Sequence, residues 1–161
     1  MEYSVFCEQL RDRIFGMSAD GQLRLALEIC KRLYPDYASF HYKHKWGSPE
    51  ILLDSIRAFE NALEGRMDIP FVGELRSRID AVIPDTDDFG DHDGSYALNA
   101  SATVAYTLQF VLDKSPESVL HAATLYYETA NIRVNEAGVS DEQEIERNPL
   151  IEEARRFLLG L

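Results

Sequence analysis

The strongest constraint in this sequence is the placement of its helix-breaking residues. Six prolines and nine glycines occur in 161 residues, and nearly all of them stand where apolar residues stop recurring at the three- and four-residue spacing of an amphipathic helix. No segment shows the sustained apolar–polar alternation or the hairpin turn chemistry of β-strands. The pattern predicts an all-α protein, a compact single-domain helical bundle of about seven to eight helices spanning residues 1–161.

Two nearly identical segments mark the beginning of a helix. Ser48-Pro49-Glu50 and Ser115-Pro116-Glu117 each supply a capping hydroxyl, a proline suited to the first turn and an acid that interacts favourably with the helix dipole. They predict helices over residues 49–63 and 116–136. Further helices are predicted over residues 2–15, 23–34, 36–42, 70–82, 96–112 and 150–159.

Pro35 and the alanine-rich segment from Tyr96 shape the expected arrangement of these helices. Pro35 should end the second helix, because proline lacks the amide hydrogen that a helix interior needs. The helix from Tyr96 to Leu112 is rich in small and apolar residues, and we therefore expect it at the centre of the bundle.

The two cysteines and the apolar runs indicate where the protein resides. Cys7 and Cys30 stand among apolar helical positions without a CxxC motif, as expected of buried thiols in a reducing compartment. The first residues do not resemble a signal peptide, and no stretch approaches the roughly 18 apolar residues of a membrane span. These features predict a cytoplasmic protein.

Net charge narrows the classes of partner. The chain carries 16 basic and 28 acidic residues, a net charge of −12. The excess is uneven: residues 1–48 carry seven basic and six acidic groups, whereas residues 49–161 carry nine and 22. Such a surface repels phosphate backbones, which argues against direct nucleic-acid binding, and it attracts basic proteins. A solubilising role is the alternative explanation of the acidity.

An acidic loop, residues 85–94, is the densest polar cluster. Its five carboxylates are those of Asp85, Asp87, Asp88, Asp91 and Asp93. Asp93 or Ser95 would cap the helix that follows, and the mobile carboxylates would suit the Lys or Arg side chains of a partner. Calcium or magnesium is a third possibility, but the EF-hand register fails because Phe89 and Tyr96 stand where ligands are required. No metal and no other cofactor is therefore expected.

Three aromatic residues are candidate interface anchors. Tyr42 and Trp46 are four residues apart beside Gly47, a spacing that places both on one face of a helix. Tyr126 is the third candidate, because Tyr and Trp are enriched at the centres of protein interfaces. Core packing is the alternative for all three. An exposed aromatic stripe would equally serve a homodimer.

Three stretches together resemble one bacterial family. They are Arg32-Leu33-Tyr34-Pro35-Asp36-Tyr37 with Phe40, Ile83-Pro84 with Asp87-Asp88-Phe89, and Asn148-Pro149-Leu150-Ile151. In this order they resemble the YjaG-like family, a domain of unknown function numbered 416, over residues 20–157. The resemblance implies an all-helical, cytosolic bacterial protein with no assigned reaction. The chain departs from the family pattern at Tyr96-Ala97-Leu98, where Tyr-Pro-Ala is common, and in the extra residues Asp91-His92-Asp93.

No catalytic motif is present. The sequence lacks a GxSxG nucleophile elbow, an HExxH metal site and a glycine-rich phosphate loop, so we expect no enzyme activity. The favoured hypothesis is an acidic immunity protein, of antitoxin type, that binds and neutralises a basic toxin domain, such as a nuclease, of contact-dependent or related bacterial competition systems. The alternatives are a cytosolic housekeeping or adaptor protein of the YjaG-like family, and a metal-dependent enzyme or sensor that uses the acidic loop.

Overall fold

Helices account for all the regular structure of the chain. The computed structural model describes residues 1–161 and contains no β-strand. The helices are α1 (Tyr3–Gly16), α2 (Ala19–His44), α3 (Pro49–Leu63), α4 (Ile69–Ile79), α5 (His92–Asp113), α6 (Pro116–Glu136), α7 (Glu142–Glu146) and α8 (Pro149–Leu159), with one 3₁₀ turn at Asp80–Val82. The predicted all-α bundle of seven to eight helices is confirmed.

Helix α2 corrects the prediction that Pro35 ends a helix. The helix continues through Pro35 to His44, because Leu33, Tyr37 and Phe40 keep helical spacing across the proline and all three side chains are buried. Pro35 lies on the exposed side of the helix. The carbonyl that loses its helical partner belongs to Lys31, which is also exposed, so water can satisfy it. Burial on one face outweighs the missing hydrogen bond on the other.

Most helix beginnings agree with the sequence in position, although α2 and α5 each begin four residues earlier than predicted, and the capping chemistry differs in places. Ser18 caps α2 by accepting a hydrogen bond from the Gly21 amide at 3.1 Å, and Asn148 caps α8 through the Leu150 amide. The hydroxyls of Ser48 and Ser115 form no capping hydrogen bond, so the expected role of these two side chains was wrong. Proline in the first turn remains the feature that marks both starts.

Helix α5 occupies the centre, as its small residues predicted. It packs between α2 on one side and α6 on the other, with alanine, valine and threonine side chains buried along most of its length. Two buried polar contacts join the three helices. The Asn99 amide donates to the Thr129 hydroxyl at 3.1 Å, and the Cys30 thiol lies 3.4 Å from the Thr107 hydroxyl.

The buried Tyr37 hydroxyl connects three separate segments. It donates a 2.6 Å hydrogen bond to the carbonyl of Val82 and accepts one from the amide of Ser48 at 3.2 Å. Gly47 passes close beside it with φ of +83°, and a Cβ atom there would lie 2.1 Å from the hydroxyl oxygen. Tyr37 thus fixes the start of α3 and the turn that leads into the acidic loop relative to α2.

Candidate functional site

The acidic loop is anchored by an aromatic side chain. Phe89 packs against Phe40 of α2, with ring centroids 5.0 Å apart, and against Trp46 and His44, each at 5.4 Å. Gly94 lets the loop backbone approach α5, because a Cβ there would meet the Phe89 carbonyl at 2.1 Å. The loop is therefore held against the carboxyl end of α2.

The five loop carboxylates divide into internally bonded groups and free ones. Asp85 accepts a hydrogen bond from the Asp87 amide at 2.9 Å and so shapes the turn. Asp91 caps α5 through the Gly94 amide at 3.0 Å, which corrects the expectation that Asp93 or Ser95 would cap this helix. The helix begins at His92 rather than Tyr96 because of this cap. The side chains of Asp87 and Asp88 are exposed and form no ion pair.

The carboxyl end of α2 and the amino end of α5 form a charged cluster. Lys43 binds Asp93 and lies 4.0 Å from Asp91, while His44 Nε2 lies 3.7 Å from Asp91. The Gly94 amide, with His44 and Lys43, holds the pKa of Asp91 below its ordinary value. The hydrogen bond to Asp93 raises the pKa of Lys43. Basic groups at a helix end and acidic groups at a helix start also complement both helix dipoles.

This cluster is the candidate metal-binding group of the chain. Ligand atoms of His44, Asp91 and Asp93 lie within 4.8 Å of one another, a donor set that suits a divalent cation. The ammonium of Lys43 already supplies a positive charge to both carboxylates. A cation would have to displace it, so the geometry favours an internal ion pair.

The predicted aromatic anchors lie in two places. Tyr42 is 77% exposed and its ring is covered by the ammonium of Lys45 at 4.4 Å. Trp46 is partly buried against the core, and its carbonyl lies 2.9 Å from His41 Nδ1. Both adjoin the charged cluster. Tyr126 does not, because its hydroxyl accepts from Arg32 of α2, roughly 16 Å along the helix from the cluster.

Tyr126 belongs to a groove of about 310 Å³ between α2, α6 and α8. The Arg32 guanidinium lies 3.7 Å from the centre of the Phe157 ring, and Tyr126 packs edge-on to the same ring at 5.0 Å. Arg133 on the opposite wall forms two 2.5 Å contacts with the Asp36 carboxylate. Both arginines of the groove are thus held by acidic partners, Arg32 by Glu28 at 3.1 Å.

A second groove, of about 450 Å³, was missed by the sequence interpretation and is named here the α7 groove. It lies between α1, α6 and α7, and its lining residues are Tyr3, Tyr127, Glu128, Asn131, Glu142, Ile145 and Glu146. Burial raises the pKa of Tyr3 to about 12, and a hydrogen bond with Cys7 and the charge of Glu128 add to the rise. The only sequence signal was the acidic turn after Ser140, in which Ile145 is the one apolar residue of an otherwise polar segment.

None of the helices combines the length and apolar character that crossing a bilayer requires. The chain matches a family described as "Protein of unknown function (DUF416)" over residues 9–159. It is also similar to the crystal structure, at 1.91 Å resolution, of a DUF416 family protein from Shewanella baltica OS155. The two chains share 18% sequence identity with a TM-score of 0.82, and the alignment covers 92% of this chain and 81% of the other. A search of curated proteins found no match.

Proposed function

The chain belongs to the DUF416 family, and from this premise we propose that it is a non-enzymatic, acidic binding protein that captures a basic protein. The specific role that we propose is that of an immunity protein, which binds and neutralises a basic toxin, a nuclease, of a bacterial competition system. Such a protein acts in the cytoplasm. The family description names no reaction, so the proposal rests on this chain's own surface.

The observation that carries the proposal is the surplus of exposed carboxylates without an internal cation. Asp87 and Asp88 protrude from a loop that is shaped before them by the hydrogen bond from the Asp87 amide to Asp85 and held after them by the packing of Phe89 and the Asp91 cap. Charges held on a fixed support raise the association rate with an oppositely charged protein and orient it, and this effect weakens with salt. Tyr42, 77% exposed near the carboxyl end of α2, offers an aromatic contact of the kind that slows dissociation.

Two features favour binding over catalysis. Burial raises the pKa of the Cys30 thiol to about 11, which leaves it protonated and unreactive at neutral pH. The His44 side chain faces Asp91 in a cluster that also holds the Lys43 ammonium. Cys30 and His44 are thus each engaged within the fold, Cys30 with the Thr107 hydroxyl and His44 with Asp91.

The test is co-expression with the polypeptide encoded immediately upstream, followed by co-purification. We expect the upstream product alone to stop growth, this protein to restore growth, and the two to form a stable complex. If the upstream product is harmless, or kills equally in the presence of this protein, the immunity role is refuted. A deletion strain with a growth or stress defect in the absence of any toxin would then favour the housekeeping or adaptor role.

A charge-matched pair of variants locates the contact surface. Asp87→Asn/Asp88→Asn should reduce the association rate severalfold at low salt and leave dissociation nearly unchanged. Glu8→Gln/Asp12→Asn removes the same charge from the exposed face of α1 and serves as the control. Equal effects of the two double variants would show that the loop is not the contact surface.

A further inference from the structure

We propose that the α7 groove is the specific docking site for an arginine side chain of the basic partner. This inference rests on the proposed function and deepens it, because it assigns one contact on the acidic surface and the chemical group that enters it. The loop supplies long-range attraction, whereas the groove supplies a short-range contact of defined shape.

The charge balance of the groove leaves room for one cation. Glu146 lies 3.6 Å from the guanidinium of Arg155, a side chain that is itself buried and that also donates to the Tyr127 hydroxyl at 3.2 Å. Glu128 and Glu142 form no ion pair with any residue of the chain. Three carboxylates and one guanidinium therefore leave the groove with an excess of two negative charges.

The uncharged lining also suits a guanidinium. Tyr3 is 47% exposed and its ring lies 5.4 Å from that of Tyr127, so two aromatic rings form one wall. Planar guanidinium groups stack on aromatic faces and bind carboxylates through two parallel hydrogen bonds, which a lysine ammonium does not do. Asn131 also lines the groove, and its buried amide oxygen has no hydrogen-bond donor within the protein.

The groove is firmly built, which is what a specific contact requires. Phe6 of α1 packs against Tyr127 with ring centroids 4.9 Å apart, and Asp141 caps α7 through the amides of Gln143 and Glu144. Glu128 and Glu142 are exposed and take part in none of these contacts. Their replacement by glutamine should therefore remove charge without disturbing the fold.

The experiment is an NMR titration of the purified protein with the peptide acetyl-Gly-Arg-Gly-amide. The matched control probe is the same peptide with citrulline, which has the shape of arginine but no charge. We expect saturable shift changes at Tyr3, Tyr127 and Asn131 with the arginine peptide alone. Glu128→Gln/Glu142→Gln should weaken that binding about tenfold, whereas Asp87→Asn/Asp88→Asn, an equal change of charge on the loop, should leave it within about twofold.

The outcomes separate this inference from the proposed function. Shift changes confined to the loop, equal changes with citrulline, or unchanged affinity in the glutamate double variant would each overturn the arginine site. Neutralisation of the upstream toxin by that variant with full affinity would overturn it too, while leaving the immunity role intact. Specific arginine binding without a toxic upstream product would uphold the site and refute the immunity role.

Discussion

Removal of the Tyr37 hydroxyl tests whether the connection between α2, the start of α3 and the turn before the acidic loop is as strong as its geometry implies. Tyr37→Phe keeps the buried ring but leaves the Val82 carbonyl without its 2.6 Å hydrogen bond and the Ser48 amide without its 3.2 Å one. A buried polar group that loses its partner costs about 1–3 kcal/mol. Since Ser48 is only partly buried, we expect a loss of about 2 kcal/mol in the free energy of unfolding.

Gly47 provides an internal check on this reasoning. In the wild type, the Cβ of Gly47→Ala would lie 2.1 Å from the Tyr37 hydroxyl oxygen, whereas the next ring atom is 3.1 Å away. The substitution should cost more than about 3 kcal/mol, since backbone strain at positive φ contributes about 1–2 kcal/mol and the clash adds to it. In the Tyr37→Phe background the 2.1 Å overlap is removed, and the tight 3.1 Å contact with the ring and the backbone strain remain. The two substitutions should therefore be less destabilising together than the sum of their separate effects, by about 1–2 kcal/mol.

Urea denaturation followed by far-UV circular dichroism measures all four proteins of this cycle. With a slope of about 2 kcal/mol per molar urea, Tyr37→Phe should lower the midpoint by about 1 M. A change in unfolding free energy below about 0.5 kcal/mol for Tyr37→Phe, or effects of the two substitutions that simply add, would refute the assigned geometry.

Four further predictions concern caps, pH and thiols. Asp91→Ala should cost about 1 kcal/mol of stability by removing the α5 cap, whereas Asp91→Asn should cost less because Asn keeps the cap and loses only the charge. The folded pKa of Asp91 is depressed, so its charge stabilises the fold above the unfolded pKa, and that contribution is lost as the pH falls. Below about pH 4, Asp91→Asn should therefore lose stability less steeply than the wild type. Ser18→Ala should cost about 1 kcal/mol, whereas Ser48→Ala, which removes a hydroxyl without a capping bond, should be nearly neutral. Under native conditions a thiol-specific chromogenic reagent should modify the half-buried Cys7 well before Cys30, which is buried and has a raised pKa.

A specific result would contradict each of these predictions. Equal stabilities of the two Asp91 variants would show that the Gly94 hydrogen bond does not stabilise α5. If Asp91→Asn and the wild type lost stability equally steeply as the pH falls below about 4, the charge effect would be excluded. A loss for Ser48→Ala as large as that for Ser18→Ala would mean that the hydroxyl caps α3 in solution. Simultaneous modification of both thiols would indicate frequent opening of the core around Cys30.

The sequence predicted what depends on local chemistry and missed what depends on packing. Proline and serine marked the starts of α3 and α6 correctly, because proline at the first turn has the same effect in any surroundings. The effect of Pro35 was misjudged because the helix can continue through a proline when its opposite face is buried. The spacing of apolar residues in the sequence indicates that burial only weakly. The helical spacing of the apolar residues Leu33, Tyr37 and Phe40 was the available signal. The burial of these side chains stabilises the helix by more than the one missing amide hydrogen bond destabilises it.

The candidate site shows the same division. The sequence identified the five aspartates but assigned the α5 cap to Asp93 or Ser95 instead of the nearby Asp91, a local choice among adjacent polar residues. Only tertiary contacts reveal that Asp93 binds Lys43, which comes 50 residues earlier. Nothing in the spacing of Tyr126 indicated that it would lie apart from Tyr42, at the side of α2 near Arg32. The α7 groove combines a residue near position 3 with residues near positions 128 and 142, and no short-range pattern joins segments so distant in the chain.

The hydrogen bond between Asn99 and Thr129 disfavours alternative arrangements in which α5 and α6 are shifted along each other. Small residues such as Ala97 and Ala100 of α5 and Ala123 of α6 are buried, and smooth helix surfaces of this kind tolerate sliding by a helical turn with little loss of apolar contact. A slip of one turn, about 5.4 Å, would separate the buried Asn99 amide from the Thr129 hydroxyl. The unpaired amide would raise the energy of every slipped arrangement by about 1–3 kcal/mol, so a single polar contact in the core distinguishes the native alignment from its nearest neighbours.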